Sequence, residues 1–78
     1  MAEKFLLPKM TASMKEGTIL EWLKKEGDRI VQGEPIVQVE TDKAVQELEA
    51  PLSGVLVRIL QRKGKVPVDT VLALIEPE

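Results

Sequence analysis

Pro35-Ile36-Val37-Gln38-Val39-Glu40-Thr41-Asp42-Lys43-Ala44-Val45-Gln46-Glu47-Leu48-Glu49-Ala50-Pro51 is the stretch that decides the reading of this chain. Residues 35–41 and 44–50 are strand-like, and the segment between them is short and polar. Two such runs around a turn signal read as a β-hairpin. Asp42 favours the bend, because an Asp carboxylate can bond backbone N–H groups two residues on. The hairpin lifts Lys43 to its tip. Lysine carries a flexible stem and a primary amine that can be acylated. One amine on a fixed turn is what a covalent attachment site needs, although most turn lysines are merely solvated.

Working outward, the chain reads as two similar halves with this hairpin joining them. Gly17 matches Gly54 and Gly27 matches Gly64, each at a spacing of 37. After one deletion, Ile30 matches Val66 and Glu40 matches Glu76 at a spacing of 36. A strand motif present twice predicts a pseudo-twofold domain. Asp69 stands where the first half has Gly33. Asp enters the left-handed region more readily than most residues, so the turn survives there.

The remaining segments fit short strands. Lys4-Phe5-Leu6-Leu7 is one, ended by Pro8. Residues 17–23 are another, since Gly17 and Gly27 bracket too short a span for a stable helix. A short extended piece lies at 29–31, then come 55–60, an edge piece at 66–68 containing Pro67, and 71–75. Many short strands with turn signals between them predict an all-β sandwich or barrel. Phe5 and Trp22 are the only aromatics, and both are expected in the core.

Composition narrows the function. Seventy-eight residues form one small domain, with about 3–5 kcal/mol of stability to be expected from its core. The net charge is −2 with both signs scattered, so no basic face points to nucleic acid. No apolar run approaches the ~18 residues of a membrane span. There is no His and no Cys, so the usual nucleophile–base pairs cannot be assembled. The chain is not expected to be an enzyme on its own.

With these motifs in order, the chain resembles the lipoyl domain of the dihydrolipoamide acyltransferase of 2-oxoacid dehydrogenase complexes. The resemblance runs over nearly the whole chain. Its carriers are Leu7-Pro8-Lys9-Met10, Met14-Lys15-Glu16-Gly17-Thr18-Ile19, Trp22, Lys25-Glu26-Gly27-Asp28, Gly33-Glu34-Pro35, Glu40-Thr41-Asp42-Lys43-Ala44 and Ala50-Pro51-Leu52-Ser53-Gly54. It implies a flattened barrel of two four-stranded antiparallel sheets over residues 1–76, with 77–78 starting a linker. It implies lipoic acid amide-linked to Lys43, as an arm carrying acyl groups and electrons. The implied partners are a thiamin-dependent decarboxylase, the acyltransferase core, a dihydrolipoamide dehydrogenase, and a lipoate ligase or lipoyl transferase. The isolated domain would be a monomer, in the bacterial cytoplasm or, if cut from a eukaryotic precursor, the mitochondrial matrix.

Glu40, Asp42 and Ala44, with Thr11, Ala12 and Ser13 of the 9–16 loop, are the expected recognition residues. In the family this loop lies beside the lipoyl-lysine turn. Here it departs from the Ser-Pro-Thr pattern common in the branch. Leu-Pro-Lys-Met and Glu-Gly-Thr-Ile look closer to the pyruvate or acetoin branch than to the 2-oxoglutarate branch. A biotinyl carrier of similar fold is the alternative, but there the lysine usually lies between two methionines. An unmodified interaction module of the same fold is the third reading.

Overall fold

In a computed structural model, which describes residues 2–42 and 44–78, the described residues form eight strands and no helix. They are β1 (Glu3–Leu6), β2 (Glu16–Trp22), β3 (Arg29–Ile30), β4 (Pro35–Glu40), β5 (Val45–Glu49), β6 (Gly54–Ile59), β7 (Gly64–Pro67) and β8 (Val71–Pro77). The first sheet has the order β1-β8-β6-β3 and the second the order β5-β4-β2-β7. All pairings are antiparallel. The second order is the first with every strand replaced by its counterpart in the other half. The pseudo-twofold predicted from glycine spacing therefore exchanges the two sheets.

The equivalence extends to irregularities. The β2–β4 ladder shifts register between Ile19 and Glu21. The β6–β8 ladder shifts between Leu56 and Arg58, 37 residues later. Gly33 N–H donates to Ala50 O at 2.9 Å, and Asp69 N–H donates to Leu7 O at 2.9 Å. Gly33 has φ 91° and Asp69 φ 74°, the one non-glycine at positive φ among the described residues. The two halves need the same left-handed turn, and Asp is tolerated where the second half lacks glycine.

The core follows the repeat as well. Ile19 and Leu56, Ile36 and Leu72, Val39 and Ile75, and Ile30 and Val66 are buried in matching pairs. Neither half could bury this surface alone. Phe5 is buried and Trp22 packs partly buried against the same cluster. Their rings meet edge to face at 6.4 Å, a favoured aromatic geometry. The Trp22 indole N–H donates to Gln61 O at 2.7 Å, satisfying the one polar atom of that ring.

Strand ends differ from the sequence reading in small ways. β1 stops at Leu6, because Leu7 N–H turns to Thr70 O at 3.0 Å. β6 begins at Gly54, which pairs with Pro77. β8 thus continues through Pro77, and Glu78 N–H reaches Ser53 O at 3.2 Å. The short piece expected at 66–68 is β7, at the edge of the second sheet.

Gly54 and its counterpart Gly17 are both buried, but for different reasons. A Cβ at Gly54 would run into the backbone carbonyl oxygen of Glu76, and would sit 2.9 Å from its carbon. A Cβ at Gly17 would meet side chains, Val39 Cγ1 at 3.0 Å and Met14 Cε at 3.1 Å. Side chains can shift; a paired strand cannot without losing its ladder. Gly54→Ala should cost about 3 kcal/mol or more and Gly17→Ala about 1–2 kcal/mol. Urea unfolding of the two variants checks this, and equal losses would contradict it.

Candidate functional site

Val37, Val39 and Leu48 root the β4–β5 hairpin in the core. The ladder runs Val37↔Leu48, Gln38↔Glu47, Val39↔Gln46 and Glu40↔Val45. β4 is also paired on its other side, with Thr18 opposite Glu40. The base of the hairpin is thus held by its own ladder, by the neighbouring strand β2 and by burial of side chains on β4 and β5.

Beyond Glu40 and Val45 the chain turns. Thr41 N–H donates to Ala44 O at 2.8 Å. The Thr41 hydroxyl donates to the same oxygen at 3.1 Å and accepts from Ala44 N–H at 3.3 Å. Thr41 is only 8% exposed, while Asp42 and Ala44 are exposed. Asp42 is not at positive φ, so the bend is neither of the primed types that match strand twist. Lys43, the expected attachment residue, lies outside the described residues. The residues on either side of it, Asp42 and Ala44, are exposed.

The 9–16 loop comes to the same place. A cleft of about 230 Å³ is lined by Ser13, Met14, Lys15, Glu16 and Asp42. Of the expected recognition residues, Ser13 and Asp42 share this cleft. Glu40 is exposed on β4 and Ala12 is exposed on the loop, and neither lines it. Thr11 is half-buried, and its hydroxyl is buried without a hydrogen-bond partner among the described residues. Its carbonyl accepts from Met14 N–H at 3.2 Å, which closes the loop on itself. Met10 N–H rests on Met14 Sδ at 3.3 Å, and buried Met14 anchors the loop to the core.

Sequence reasoning missed Thr41, Lys15 and Glu16. Thr41 had a signal: a β-branched hydroxyl residue just before a two-residue bend can bond back across it. Lys15 and Glu16 had none apart from their place in the loop. Glu16 also pairs with Lys65 at 3.8 Å, an exposed contact of small energetic value. Among the described residues no group of three or more His, Cys, Asp or Glu could hold a metal. Among the described residues no helix is long and apolar enough to cross a membrane. The arrangement can display an amine and offer a polar surface around it.

Comparison with known proteins agrees with this geometry. The biotin/lipoyl family, described as biotin-requiring enzymes, matches residues 3–75. The dihydrolipoyllysine-residue acetyltransferase component of the pyruvate dehydrogenase complex of Rickettsia typhi is 42% identical over 77 residues, covering 96% of this chain. The protein X component of the mitochondrial pyruvate dehydrogenase complex of Chaetomium thermophilum is 38% identical over 79 residues, covering 99% of this chain. The chain spans 19% and 18% of the length of these two relatives. The solved lipoyl domain of the 2-oxoglutarate dehydrogenase complex of Azotobacter vinelandii superposes with a TM-score of 0.69 at 33% identity, covering 99% of this chain and 98% of that one. The chain belongs to the biotin/lipoyl attachment-domain family, and within it to the lipoyl domains.

Proposed function

We propose that the chain is an acyl-carrier domain in which lipoic acid is joined by an amide to the Lys43 side-chain nitrogen. The observation that carries this reading is the bond closure between Thr41 and Ala44, with Asp42 and Ala44 exposed, in a chain similar to a lipoyl domain over 99% of its length. Amide formation would use the lysine amine as nucleophile; the nitrogen loses one proton and the activating group leaves the carboxyl carbon. When bound, lipoic acid supplies a disulfide that opens to take up an acyl group and two electrons, chemistry this chain's own side chains lack. The protein's share is display and recognition. A rigid base fixes where the arm starts, and tethering raises its effective concentration at each active site.

The relatives named for the pyruvate dehydrogenase complex support service to a pyruvate-type decarboxylase as the first choice of substrate. The proposed partners are that thiamin-dependent decarboxylase, the acyltransferase core of the parent protein, a dihydrolipoamide dehydrogenase, and the ligase or transferase that loads Lys43. The bacterial and mitochondrial relatives support action in the bacterial cytoplasm or the mitochondrial matrix. Asp42 and Ala44 beside the lysine favour lipoyl over the methionine-flanked pattern of biotinyl carriers.

Treatment with a lipoate ligase, followed by intact mass and peptide mapping, should give a single modification at Lys43. Modification at Lys9, Lys15 or Lys63 instead would overturn the assignment, and capture by avidin after coexpression with a biotin ligase would move it to the biotinyl side.

Recognition should extend past the arm to the surface around it. Glu40→Gln, or replacement of Thr11-Ala12-Ser13, should slow reductive acylation by about five- to a hundredfold, the range of an interface residue worth 1–3 kcal/mol. Lipoylation and folding should be unaffected. Free lipoamide at equal concentration is the reference. Equal acylation of free lipoamide and the loaded domain would show that the surface contributes nothing.

A further inference from the structure

We propose that Thr41 is a positioning residue, whose hydroxyl holds the tip in the bend from which Lys43 is recognised and modified. This deepens the carrier reading above and rests on it.

Thr41, just past the end of β4, bonds across the bend with both its side chain and its backbone. A hydroxyl offers one donor and two acceptor positions, and here it serves both ways toward one residue. It donates to Ala44 O at 3.1 Å and accepts from Ala44 N–H at 3.3 Å. The Thr41 N–H adds a third bond, to Ala44 O at 2.8 Å. Both backbone polar groups of Ala44 are therefore engaged by a single side chain and its own amide.

The turn needs this help. Primed turns suit a two-residue hairpin because their twist matches the strands, whereas ordinary turns splay them. A primed turn requires positive φ at its first central residue, and Asp42 does not have it. The side-chain bonds of Thr41 supply closure that the turn type withholds. The residue is 8% exposed between exposed neighbours on the tip. A hydroxyl in that setting must be bonded within the protein, so the clamp is not exchanged freely for water.

An enzyme that reads the tip meets only the fraction of molecules with the bend formed. A lower fraction raises the apparent dissociation constant in proportion. It leaves the rate from the bound complex unchanged, so the effect falls on KM and not on kcat. Loss of the hydroxyl bonds should lower the bend's equilibrium constant about three- to tenfold, the factor that corresponds to one net hydrogen bond, and raise KM by up to that factor.

The test uses the full chain with three substitutions. Thr41→Val keeps the shape and removes the hydroxyl. Thr41→Ser keeps the hydroxyl and removes the methyl. Thr41→Ala replaces the valine variant should that fail to fold. Steady-state lipoylation by a lipoate ligase gives kcat and KM for each acceptor, and amide hydrogen exchange is followed at Ala44 and at Val39. The expected result for Thr41→Val is a KM raised by up to about tenfold at constant kcat. Exchange should quicken at Ala44 and not at Val39, and Thr41→Ser should restore both. A wild-type KM in Thr41→Val would overturn the proposal. So would equal losses in the valine and serine variants with Val39 loosened as much as Ala44, because that pattern is simple destabilisation. A wild-type chain that the ligase leaves unmodified at Lys43 would instead sink the carrier reading, and Ala44 exchange would still decide whether Thr41 closes the tip.

Discussion

The passage of the chain from one repeat to the other through the β4–β5 hairpin is the constraint on which the rest of the structure depends. A half of this chain has an apolar face it cannot bury by itself. The two halves therefore trade strands: β1 and β3 join β6 and β8 in one sheet, and β5 and β7 join β2 and β4 in the other. β4 and β5 must pair for that exchange to close. Their ladder places Val37, Val39 and Leu48 in the core, and a slip of one residue would turn those side chains to solvent. Burial thus fixes the height of the tip before any turn chemistry acts.

The same symmetry relates the two ends of the barrel. Under the repeat, β4 and β5 correspond to β8 and β1, which also pair. The counterpart of residues 41–44 is the place where the described chain begins and β8 ends. There Glu78 is held by its neighbours: its N–H bonds Ser53 O, and its carboxylate pairs with Arg29. The two poles of a nearly symmetric barrel thereby differ, with the Thr41–Ala44 closure at one and the Glu78 contacts at the other.

Much of this was legible in the residues. The spacing of glycines announced the repeat, and Asp69 could be recognised as a stand-in for Gly33 because so few residues accept positive φ. Alternation around Asp42-Lys43 announced the hairpin. The bulges at Ile19/Glu21 and Leu56/Arg58 were not legible, since a bulge adds a residue without changing composition. The cleft lined by Ser13, Lys15, Glu16 and Asp42 was not legible either. It arises from two segments far apart in sequence, and only the resemblance brought the 9–16 loop near the tip. Glu40 and Ala12 were expected to act with Ser13 and Asp42, yet they lie outside that cleft. Thr41 was legible in principle, but its neighbours Asp42 and Lys43 carried the more obvious chemistry.

The central claim is that fixed placement on the bend, not the presence of a lysine in an acidic string, makes position 43 an attachment site. The most direct measurement is the lipoylation rate of the double variant Asp42→Lys, Lys43→Ala. It moves the amine by one residue while leaving Thr41, Ala44 and the buried base of the hairpin in place. The account predicts a fold that survives by circular dichroism and a lipoylation rate lower by about a hundredfold, the scale of an ångström-size misplacement of a reacting group. Lipoylation of the shifted lysine at the rate of the parent chain would contradict it.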